Sequence, residues 1–293
     1  MKILILGGSG MLGHKLIEIL SQNHEVFATY RAEVANYEKY EFVNTKNSYG
    51  NIDVLELDKV ENVVAEVEPD FVLNAIGLIK QKKDSKNYIS SLKINSLLPH
   101  QFAEICNKFG AKLVTFSTDC VFDGAKGNYL ETDEPNATDL YGKTKELGEV
   151  TGSNHITLRT SIIGRELSTS HSLIEWFLSN CGKRIKGYTK AIYSGFPTIE
   201  IADILENFIF PNNNLKGLWH VSSEPINKFE LLTLLKQKLK LDIEIEPFDD
   251  FAIDRSLNSE RFQKETGYNP PSWDKLVNKM ILDFEKYDVW RNL

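Results

Sequence analysis

Three evenly spaced glycines near the amino terminus constrain the fold of this chain more than any other feature. Gly7, Gly10 and Gly13 directly follow the apolar run at residues 2–6 and open a stretch with apolar residues at helical spacing. A strand, a glycine-rich turn and a helix in this order predict a dinucleotide-binding unit whose helix amino terminus attracts phosphate. Without that context, the glycines would indicate only a turn. We expect the dinucleotide to contact Gly7, Ser9, Gly10, Met11, Leu12 and Gly13.

The order of elements along the chain predicts the fold class. Candidate strands lie at 2–6, 25–29, 51–55, 71–75, 112–117 and 156–160, with amphipathic helical stretches between most of them. This alternation predicts an α/β fold, a Rossmann-type doubly wound parallel sheet. Helices dominate after about residue 164, at 172–178, 199–208, 228–240 and 273–286, with candidate short strands at 217–221 and 242–246. This pattern predicts a smaller, mostly helical carboxy-terminal substrate lobe. The expected division is a dinucleotide-binding domain at 1–164 and a substrate-binding lobe at 165–293, with a crossing of the chain near 190–225.

The charge of the chain excludes several partners. The 293 residues include 34 Lys and Arg against 41 Asp and Glu, for a net charge of −7. An acidic chain with no basic run is a poor candidate for nucleic-acid or anionic-membrane binding, so we expect neither partner. The three cysteines are widely spaced, which predicts reduced thiols and a cytoplasmic location. The six histidines have no metal-ligand spacing, so we expect no metal site.

Tyr141 and Lys145 lie four residues apart, on one face of a predicted helix. A tyrosine pKa near 10 suits neutral catalysis poorly, and a neighbouring ammonium favours the phenolate and lowers that pKa. Thr118 follows a predicted strand, where its hydroxyl can hold a substrate oxygen. A tyrosine and a lysine at this spacing are, by themselves, typical of a helix surface. The glycine turn and the strand end before Thr118 instead favour a catalytic set of Thr118, Tyr141 and Lys145.

The end of the second strand bears on the form of the dinucleotide. NAD-binding proteins usually carry an acidic residue there, whereas this chain has Thr29-Tyr30-Arg31. Arg31 can pair with a 2′-phosphate, which predicts NADPH, with NADH as the alternative. A solvated surface charge is the other interpretation of Arg31. We expect Asp53 and Val54 near the adenine, although Asp53 is equally typical of a plain loop carboxylate.

Several further segments together carry a family resemblance. They are Ser117-Thr118-Asp119-Cys120-Val121-Phe122-Asp123-Gly124, Tyr141-Gly142-Lys143-Thr144-Lys145-Glu146, Asn74-Ala75-Ile76-Gly77, Asn95, Arg159-Thr160-Ser161, Pro197-Thr198 and Trp219-His220-Val221-Ser222. With them the chain resembles the extended short-chain dehydrogenase/reductase superfamily, and within it the dTDP-4-dehydrorhamnose reductase family. The resemblance runs over nearly the whole chain. It implies the catalytic set Thr118, Tyr141 and Lys145, and it places Asn74 and Ala75 beside the cofactor.

The resemblance also implies an activity, the NADPH-dependent reduction of the C4 ketone of a nucleotide-activated 4-keto-6-deoxyhexose in polysaccharide precursor synthesis. The sugar would be dTDP- or UDP-linked, of the rhamnose or 2-acetamido-2,6-dideoxy type, and the enzyme a monomer or homodimer. Tyr141 would protonate the alkoxide, while Lys145 lowers the pKa of Tyr141 and hydrogen-bonds the nicotinamide ribose. Tyr141 and Lys145 are therefore also expected cofactor contacts. The diphosphate would meet Arg159, Lys186 or Arg255. The expected substrate contacts are Thr118, Asp119, Cys120, Arg159, Ile162, Pro197 and Arg255.

Three departures from the family leave the substrate open. The family usually has tyrosine at Cys120, a Trp-aromatic pair at Ile162-Ile163 and an Asp-Gln pair at Tyr193-Ser194. Two alternative functions remain. One is a nucleotide-sugar epimerase or dehydratase, which retains NAD⁺ through its cycle. The other is a non-catalytic, cofactor-binding regulatory subunit like the β subunit of methionine adenosyltransferase.

Overall fold

The structure is a computed structural model that describes residues 1–79, 87–152, 154–282 and 284–292. Its strands are β1 (Lys2–Leu6), β2 (Glu25–Thr29), β3 (Ser48–Tyr49), β4 (Phe71–Asn74), β5 (Lys112–Thr118), β6 (Ile156–Thr160), β7 (Ile162–Ile163), β8 (Arg184–Tyr193), β9 (Phe196–Pro197), β10 (Gly217–His220), β11 (Ile226–Asn227) and β12 (Glu244–Asp254).

The α-helices are α1 (Met11–Leu20), α2 (Leu57–Val67), α3 (Tyr88–Ser91), α4 (Leu98–Phe109), α5 (Leu140–Leu147), α6 (Leu173–Leu178), α7 (Thr198–Ile204), α8 (Lys228–Leu239), α9 (Glu260–Thr266), α10 (Trp273–Ile281) and α11 (Phe284–Asn292). Two π-helical stretches, Leu92–Leu97 and Leu205–Ile209, continue α3 into α4 and extend α7. In the described residues, we find no helix with both the length and the apolar character that a membrane span requires.

Seven parallel strands form the main sheet, in the order β10-β6-β5-β4-β1-β2-β3. Strand β1 lies inside the sheet between β4 and β2, and its residues Ile3 to Leu6 are fully buried. A continuous apolar strand of this kind requires helices on both faces of the sheet. Two separate apolar clusters, around α1 and around α2 with α4, cover those faces. The predicted Rossmann-type α/β fold is confirmed.

One predicted strand is wrong. Residues 51–55 form a turn, because Asn51 adopts a positive φ of 58° and the Asp53 carboxylate accepts a hydrogen bond from the Leu55 amide at 3.0 Å. The third strand of this region is β3, which lies just before that turn and pairs with the end of β2.

The carboxy-terminal region contains the expected helices α6, α7, α8 and α10. It also contains α9, which the sequence did not predict, and a three-stranded sheet of which the sequence predicted only a short strand at 242–246. Its order is β11-β8-β12, and the long strands β8 and β12 run parallel. Most residues of β12 are exposed or half-buried, so the strand lacks the apolar alternation that identifies a strand in a sequence. Pairing with β8 supplies its backbone partners instead.

Several elements beyond residue 164 pack against the first half of the chain. Strand β10 joins the edge of the main sheet beside β6. Helix α7 packs on α1, and α11 also reaches α1, where Tyr287 is hydrogen-bonded to His14. The second half of the chain therefore packs against two parts of the first half, the edge strand β6 and helix α1.

Candidate functional site

The turn at residues 7–13 has a shape that glycine alone allows at two positions. Gly7 has a φ of +90°, a region in which side chains are strained. A Cβ on Gly13 would lie 2.1 Å from the Gly7 carbonyl oxygen, so α1 packs directly on the turn. Gly10 begins α1, and no side chain of the described residues caps the helix there. The first N–H groups of α1 are therefore available to an anion, which fits the predicted pyrophosphate.

The other predicted residues of this turn differ in exposure. Ser9 and Met11 are half-buried at its surface, where they can approach a ligand. Leu12 is buried in the apolar cluster beneath α1. Its side chain packs in the core, so any contact of Leu12 with a cofactor is made by its backbone.

The end of β2 is joined to the glycine turn. The Gly8 amide donates to the Thr29 carbonyl at 2.9 Å, and Tyr30 is buried beside Gly8, where a Cβ would lie 2.9 Å from the ring. Arg31 follows with an exposed side chain. This position is compatible with the predicted contact to a 2′-phosphate.

The pair predicted near the adenine lies at the next loop of the same edge. Asp53 is half-buried and stabilises its own turn through the Leu55 amide. Val54 is also half-buried and packs on the apolar cluster of α2 and α4. One carboxylate oxygen of Asp53 is thus used by the loop, and the adenine contact stays a prediction.

Asn74 ends β4 and shapes the turn after it. Its Oδ1 accepts from the Ile76 amide at 3.1 Å, and its Nδ2 donates to Thr115 Oγ1 at 3.3 Å. The buried side chain is thereby committed to the protein, whereas Ala75 is half-buried at the turn itself. Contacts from this turn to a dinucleotide would come from the backbone around Ala75.

Asn95 connects this region to the helix of the predicted catalytic pair. It lies in the π-helical stretch Leu92–Leu97 and is buried. Its Oδ1 accepts from the Leu78 amide at 2.8 Å, and its Nδ2 donates to Thr144 Oγ1 at 3.3 Å. The chain after β4 and helix α5 are therefore held together through one amide side chain.

Helix α5 is positioned by two glycines and a cap. A Cβ on Gly142 would lie 2.2 Å from the Cys120 carbonyl oxygen, and one on Gly148 would lie 1.9 Å from the Asn95 carbonyl oxygen. The Asp139 carboxylate caps the helix by accepting from the Gly142 amide at 3.0 Å. Close packing at both ends sets where the side chains of α5 reach the sheet.

The structure brings the three predicted catalytic residues together. Thr118 ends β5 and is hydrogen-bonded to Tyr141, which is half-buried on α5. Lys145 lies one turn further along the same helix, and its Nζ donates to the Phe116 carbonyl oxygen at 2.6 Å. A hydroxyl, a phenol and an ammonium thus converge at the carboxyl end of β5, which is the edge of the sheet where such folds bind ligands.

The electrostatics of this set differ from the expectation that Lys145 lowers the pKa of Tyr141. Burial raises the pKa of Tyr141, and nearby Cys120 and Asp119 raise it further. Burial also lowers the pKa of Lys145 to about 8, against the opposing charge of Glu149. In this arrangement Tyr141 holds its proton at neutral pH, so it is an acid that can donate a proton.

Arg159 does not fit the predicted contact with a diphosphate. The side chain is buried, and its Nε and Nη2 each donate to the Glu149 carboxylate at 2.7 Å. Its Nη1 lies 3.2 Å from His220 Nε2, and the Glu149 carboxylate also accepts from Ser117 Oγ at 2.6 Å. The guanidinium therefore forms a buried ion pair that joins β5, β6, β10 and the chain just after α5.

Of the other two candidate cations, Arg255 lies beside the catalytic turn and Lys186 does not. Arg255 Nε donates to the Phe122 carbonyl oxygen at 2.8 Å, and its Nη1 lies 3.6 Å from Cys120 Sγ. Lys186 is exposed on β8, with its Nζ 4.0 Å from the ring centre of Phe248. Arg255 and Cys120 are the better placed of the predicted substrate contacts.

The remaining predicted substrate residues lie around the same edge. Asp119 is buried and accepts from Thr118 Oγ1 at 3.1 Å. Ile162 and Pro197 belong to the paired short strands β7 and β9, and Pro197 is buried while Ile162 is half-buried. These two strands connect the main sheet to the carboxy-terminal region.

Sequence reasoning missed Glu149, although a signal was present. Glu149 follows Lys145 by four residues, a spacing that places two side chains on one helical face. It also missed the part played by His220, whose Nδ1 is hydrogen-bonded to the Tyr129 carbonyl oxygen at 3.0 Å. No local pattern predicts that contact, because the two residues are 91 positions apart. Within the described residues, no group of three or more His, Cys, Asp or Glu side chains could hold a metal ion.

Comparison with known proteins identifies relatives over most of the chain. The family described as the RmlD substrate binding domain matches residues 1–286. A dTDP-4-dehydrorhamnose reductase of Aggregatibacter actinomycetemcomitans is 26% identical over 76% of this chain and 74% of that protein. A probable low-salt glycan biosynthesis reductase of Haloferax volcanii is 26% identical over 50% of this chain and 46% of that protein.

One relative is named as a subunit of an adenosyltransferase instead of as a reductase. The methionine adenosyltransferase 2 subunit beta of Bos taurus is 26% identical over 50% of this chain and 41% of that protein. The matched stretch thus spans less than half the length of this relative and of the Haloferax one.

Solved structures share the fold. A hypothetical dTDP-4-dehydrorhamnose reductase from Sulfolobus tokodaii is 28% identical, with a TM-score of 0.76 over 94% of this chain and 98% of that one. A dTDP-4-dehydrorhamnose reductase from Bacillus anthracis, solved in complex with NADP, is 20% identical, with a TM-score of 0.79 over 97% of this chain and 99% of that one.

Proposed function

The chain belongs to the family of the RmlD substrate binding domain, and from this premise we propose that it is an NADPH-dependent reductase of a nucleotide-linked sugar ketone. The observation that carries the proposal is the contact of Thr118 with a protonated Tyr141, with Lys145 one turn away. Relatives named as reductases and a neighbour solved with NADP support an NAD(P)H-dependent oxidoreductase. NADH is the alternative cofactor.

We propose the C4 ketone of a dTDP- or UDP-linked 4-keto-6-deoxyhexose as the group that is reduced, in the synthesis of polysaccharide precursors. The ring would be of the rhamnose type or carry a 2-acetamido group. When bound, NADPH supplies the hydride that this reduction requires. The turn at residues 7–13 and the backbone around Ala75 would hold the cofactor, with Arg31 at its 2′-phosphate.

The residues of the chain supply the proton and the orientation. Thr118 Oγ1 orients the ketone oxygen beside Tyr141 Oη, and Tyr141 gives its proton to the oxygen as the alkoxide forms. The raised pKa of Tyr141 suits this direction, because the phenol keeps its proton at neutral pH until the alkoxide forms. Lys145 would hold the cofactor ribose, and Arg255 would meet the anionic part of the substrate near Cys120.

We further propose a monomer or homodimer in the cytoplasm, with a nucleotide diphosphate sugar as partner and no nucleic acid or membrane partner. The wide spacing of the three cysteines, Cys106, Cys120 and Cys181, supports that location. A sizing experiment with light scattering distinguishes the two oligomeric states.

The test is a panel of dTDP-, UDP- and GDP-linked 4-keto-6-deoxy sugars, with and without a 2-acetamido group, assayed for consumption of NADPH. We expect stoichiometric consumption with one member of the panel. Tyr141→Phe should lower kcat by about 10²–10⁴-fold, because the proton donor is lost, and leave the Kd of NADPH unchanged.

Other outcomes of this panel would overturn the proposal. A rearranged sugar with no net loss of NADPH would identify an epimerase or dehydratase, which uses the same Tyr141 and Lys145. NADPH binding with no turnover on any sugar, together with a stable larger partner, would identify a regulatory subunit. Near-normal turnover by Tyr141→Phe would contradict the assigned proton donor.

A further inference from the structure

A buried histidine in the first turn of α1 connects the glycine turn to the last helix of the chain. His14 is fully buried. Its Nδ1 lies 2.7 Å from the Gly10 carbonyl oxygen, and its Nε2 lies 2.7 Å from Tyr287 Oη. Tyr287 is 273 residues away in the sequence, so only the tertiary structure brings the three groups into line.

The chemistry of the partners determines the direction of both hydrogen bonds. A carbonyl oxygen can only accept, so Nδ1 carries a proton and donates to Gly10. Burial lowers the pKa of His14 to about 4, so the ring is neutral at pH 7 and its Nε2 accepts. The Tyr287 hydroxyl is therefore the donor to Nε2.

The carbonyl that His14 holds belongs to the peptide group between Gly10 and Met11. The same oxygen accepts from the backbone amide of His14 at 3.1 Å, so two bonds from one residue hold it. Since the N–H and C=O of a peptide group point in opposite directions, the Met11 N–H is directed out of the helix amino terminus. That is the direction from which a pyrophosphate would approach.

Helix α11 is attached to the protein by packing and by charge. Tyr287 and Trp290 are buried against Tyr40 and Leu167. Arg165 lies over the Tyr287 ring, with its Cζ 5.1 Å from the ring centre. Tyr40 lies in the segment that follows Arg31, and His14 directly follows Gly13. Helix α11 therefore packs on residues that come after both stretches that the proposed function assigns to the cofactor.

We infer that His14 and Tyr287 are positioning residues for the dinucleotide turn, and that cofactor binding is coupled through them to the docking of α11. The inference rests on the proposed function in one respect, that a dinucleotide binds at residues 7–13. The coupling is reciprocal: bound dinucleotide stabilises docked α11 to the same degree that docked α11 strengthens binding.

The test compares Tyr287→Phe with Lys286→Gln. Tyr287→Phe keeps the buried ring and removes the donor to His14. Lys286→Gln is the matched control, since it removes a neighbouring ion pair between α11 and Glu18 of α1 and leaves the bond to His14 intact. The Kd values of NADP⁺ and NADPH are measured by titration calorimetry, and amide hydrogen exchange is followed across 284–292 with and without saturating NADP⁺.

We expect Tyr287→Phe to raise both Kd values by about 5–10-fold, because the buried His14 nitrogen loses its donor, while Lys286→Gln changes them by less than about twofold. In the unaltered protein NADP⁺ should slow exchange across 284–292, and in Tyr287→Phe it should do so less. If Tyr287→Phe does not fold, the exchange measured on the unaltered protein with and without NADP⁺ still tests the inference.

Equal effects of the two variants would show general loosening of α11 and overturn the inference. Unchanged Kd values with unchanged exchange would overturn it as well. In both cases an unaltered protein that binds NADP⁺ leaves the proposed function standing. Failure of the unaltered protein to bind either dinucleotide would instead contradict the proposed function, and the inference with it.

Discussion

The two ends of the proposed site are built in different ways. The cofactor end is centred on one local turn, in which Gly7, Gly10 and Gly13 lie within seven residues of one another, with Arg31 nearby at the end of β2. The substrate end is assembled from segments that are distant in the sequence. Arg255 donates a hydrogen bond to the Phe122 carbonyl, and the Tyr129 amide donates to the Ser256 carbonyl. A local turn can form as soon as β1 and α1 are in place, whereas the substrate end exists only once the whole chain has folded. We therefore expect changes at the substrate end to affect stability, and changes at the cofactor end to affect binding.

The largest effect should come from the ion pair that joins the strands of the substrate end. Glu149→Ala leaves Arg159 buried without its carboxylate partner, which should lower the free energy of unfolding by about 3–5 kcal/mol. Urea unfolding measures the change. The double variant Glu149→Met with Arg159→Met should lose less than Glu149→Ala, because it removes both charges. If Glu149→Ala were as stable as the unaltered protein, the expectation that changes at the substrate end affect stability would be contradicted.

The catalytic residues between the two ends should show a pH dependence. Burial lowers the pKa of Lys145 to about 8, so we expect kcat/KM to fall about tenfold per pH unit above pH 8 as the ammonium is lost. Between about pH 8 and pH 10.5, Lys145 is protonated in the unfolded state and mostly neutral in the folded state. The contribution of Lys145 to the stability of the folded state therefore rises with pH across this range. Unfolding curves recorded across the same range separate the two effects. Activity that remains constant to pH 10 would be the contrary result.

The smallest effect should appear at the cofactor end. Arg31 is exposed, so Arg31→Ala should change the free energy of unfolding by no more than about 0.5 kcal/mol. It should weaken NADPH binding by about tenfold through the loss of a charge-assisted contact and leave NADH binding unchanged. Titrations with both dinucleotides measure the difference, and Arg31→Lys should be intermediate. Equal weakening of both dinucleotides would remove the reason for preferring NADPH.

Sequence patterns predicted the main sheet well because its signals are local. The bounds of β2 and β6 match the predicted strands, and Tyr141 and Lys145 lie on one helix beside Thr118 as their spacing indicated. The prediction failed at 51–55, where a positive φ at Asn51 ends the strand-like stretch. It also predicted only a short strand at 242–246 where β12 runs from Glu244 to Asp254, because the exposed residues of β12 show no alternation and its pairing partner β8 begins 60 residues earlier.

Arg159 shows why the substrate residues could not be assigned from the sequence. The family resemblance implied that Arg159, a residue of β6, meets the substrate, but its charge is neutralised by Glu149 inside the protein. Whether an arginine faces a ligand or a carboxylate depends on groups that are distant in the sequence. The same holds for the pKa of Tyr141, which burial raises although Lys145 lies one turn away.

By itself the sequence determined the Rossmann-type sheet, the glycine turn and the residue types of the catalytic set, because strand and helix periodicity and close glycine packing act over a few residues. Only the tertiary structure decided that Arg159 is paired with Glu149, that Arg255 lies beside Cys120, and that Tyr287 holds His14 against the glycine turn. Those contacts depend on how distant segments exclude water and satisfy buried polar groups, which no local pattern records.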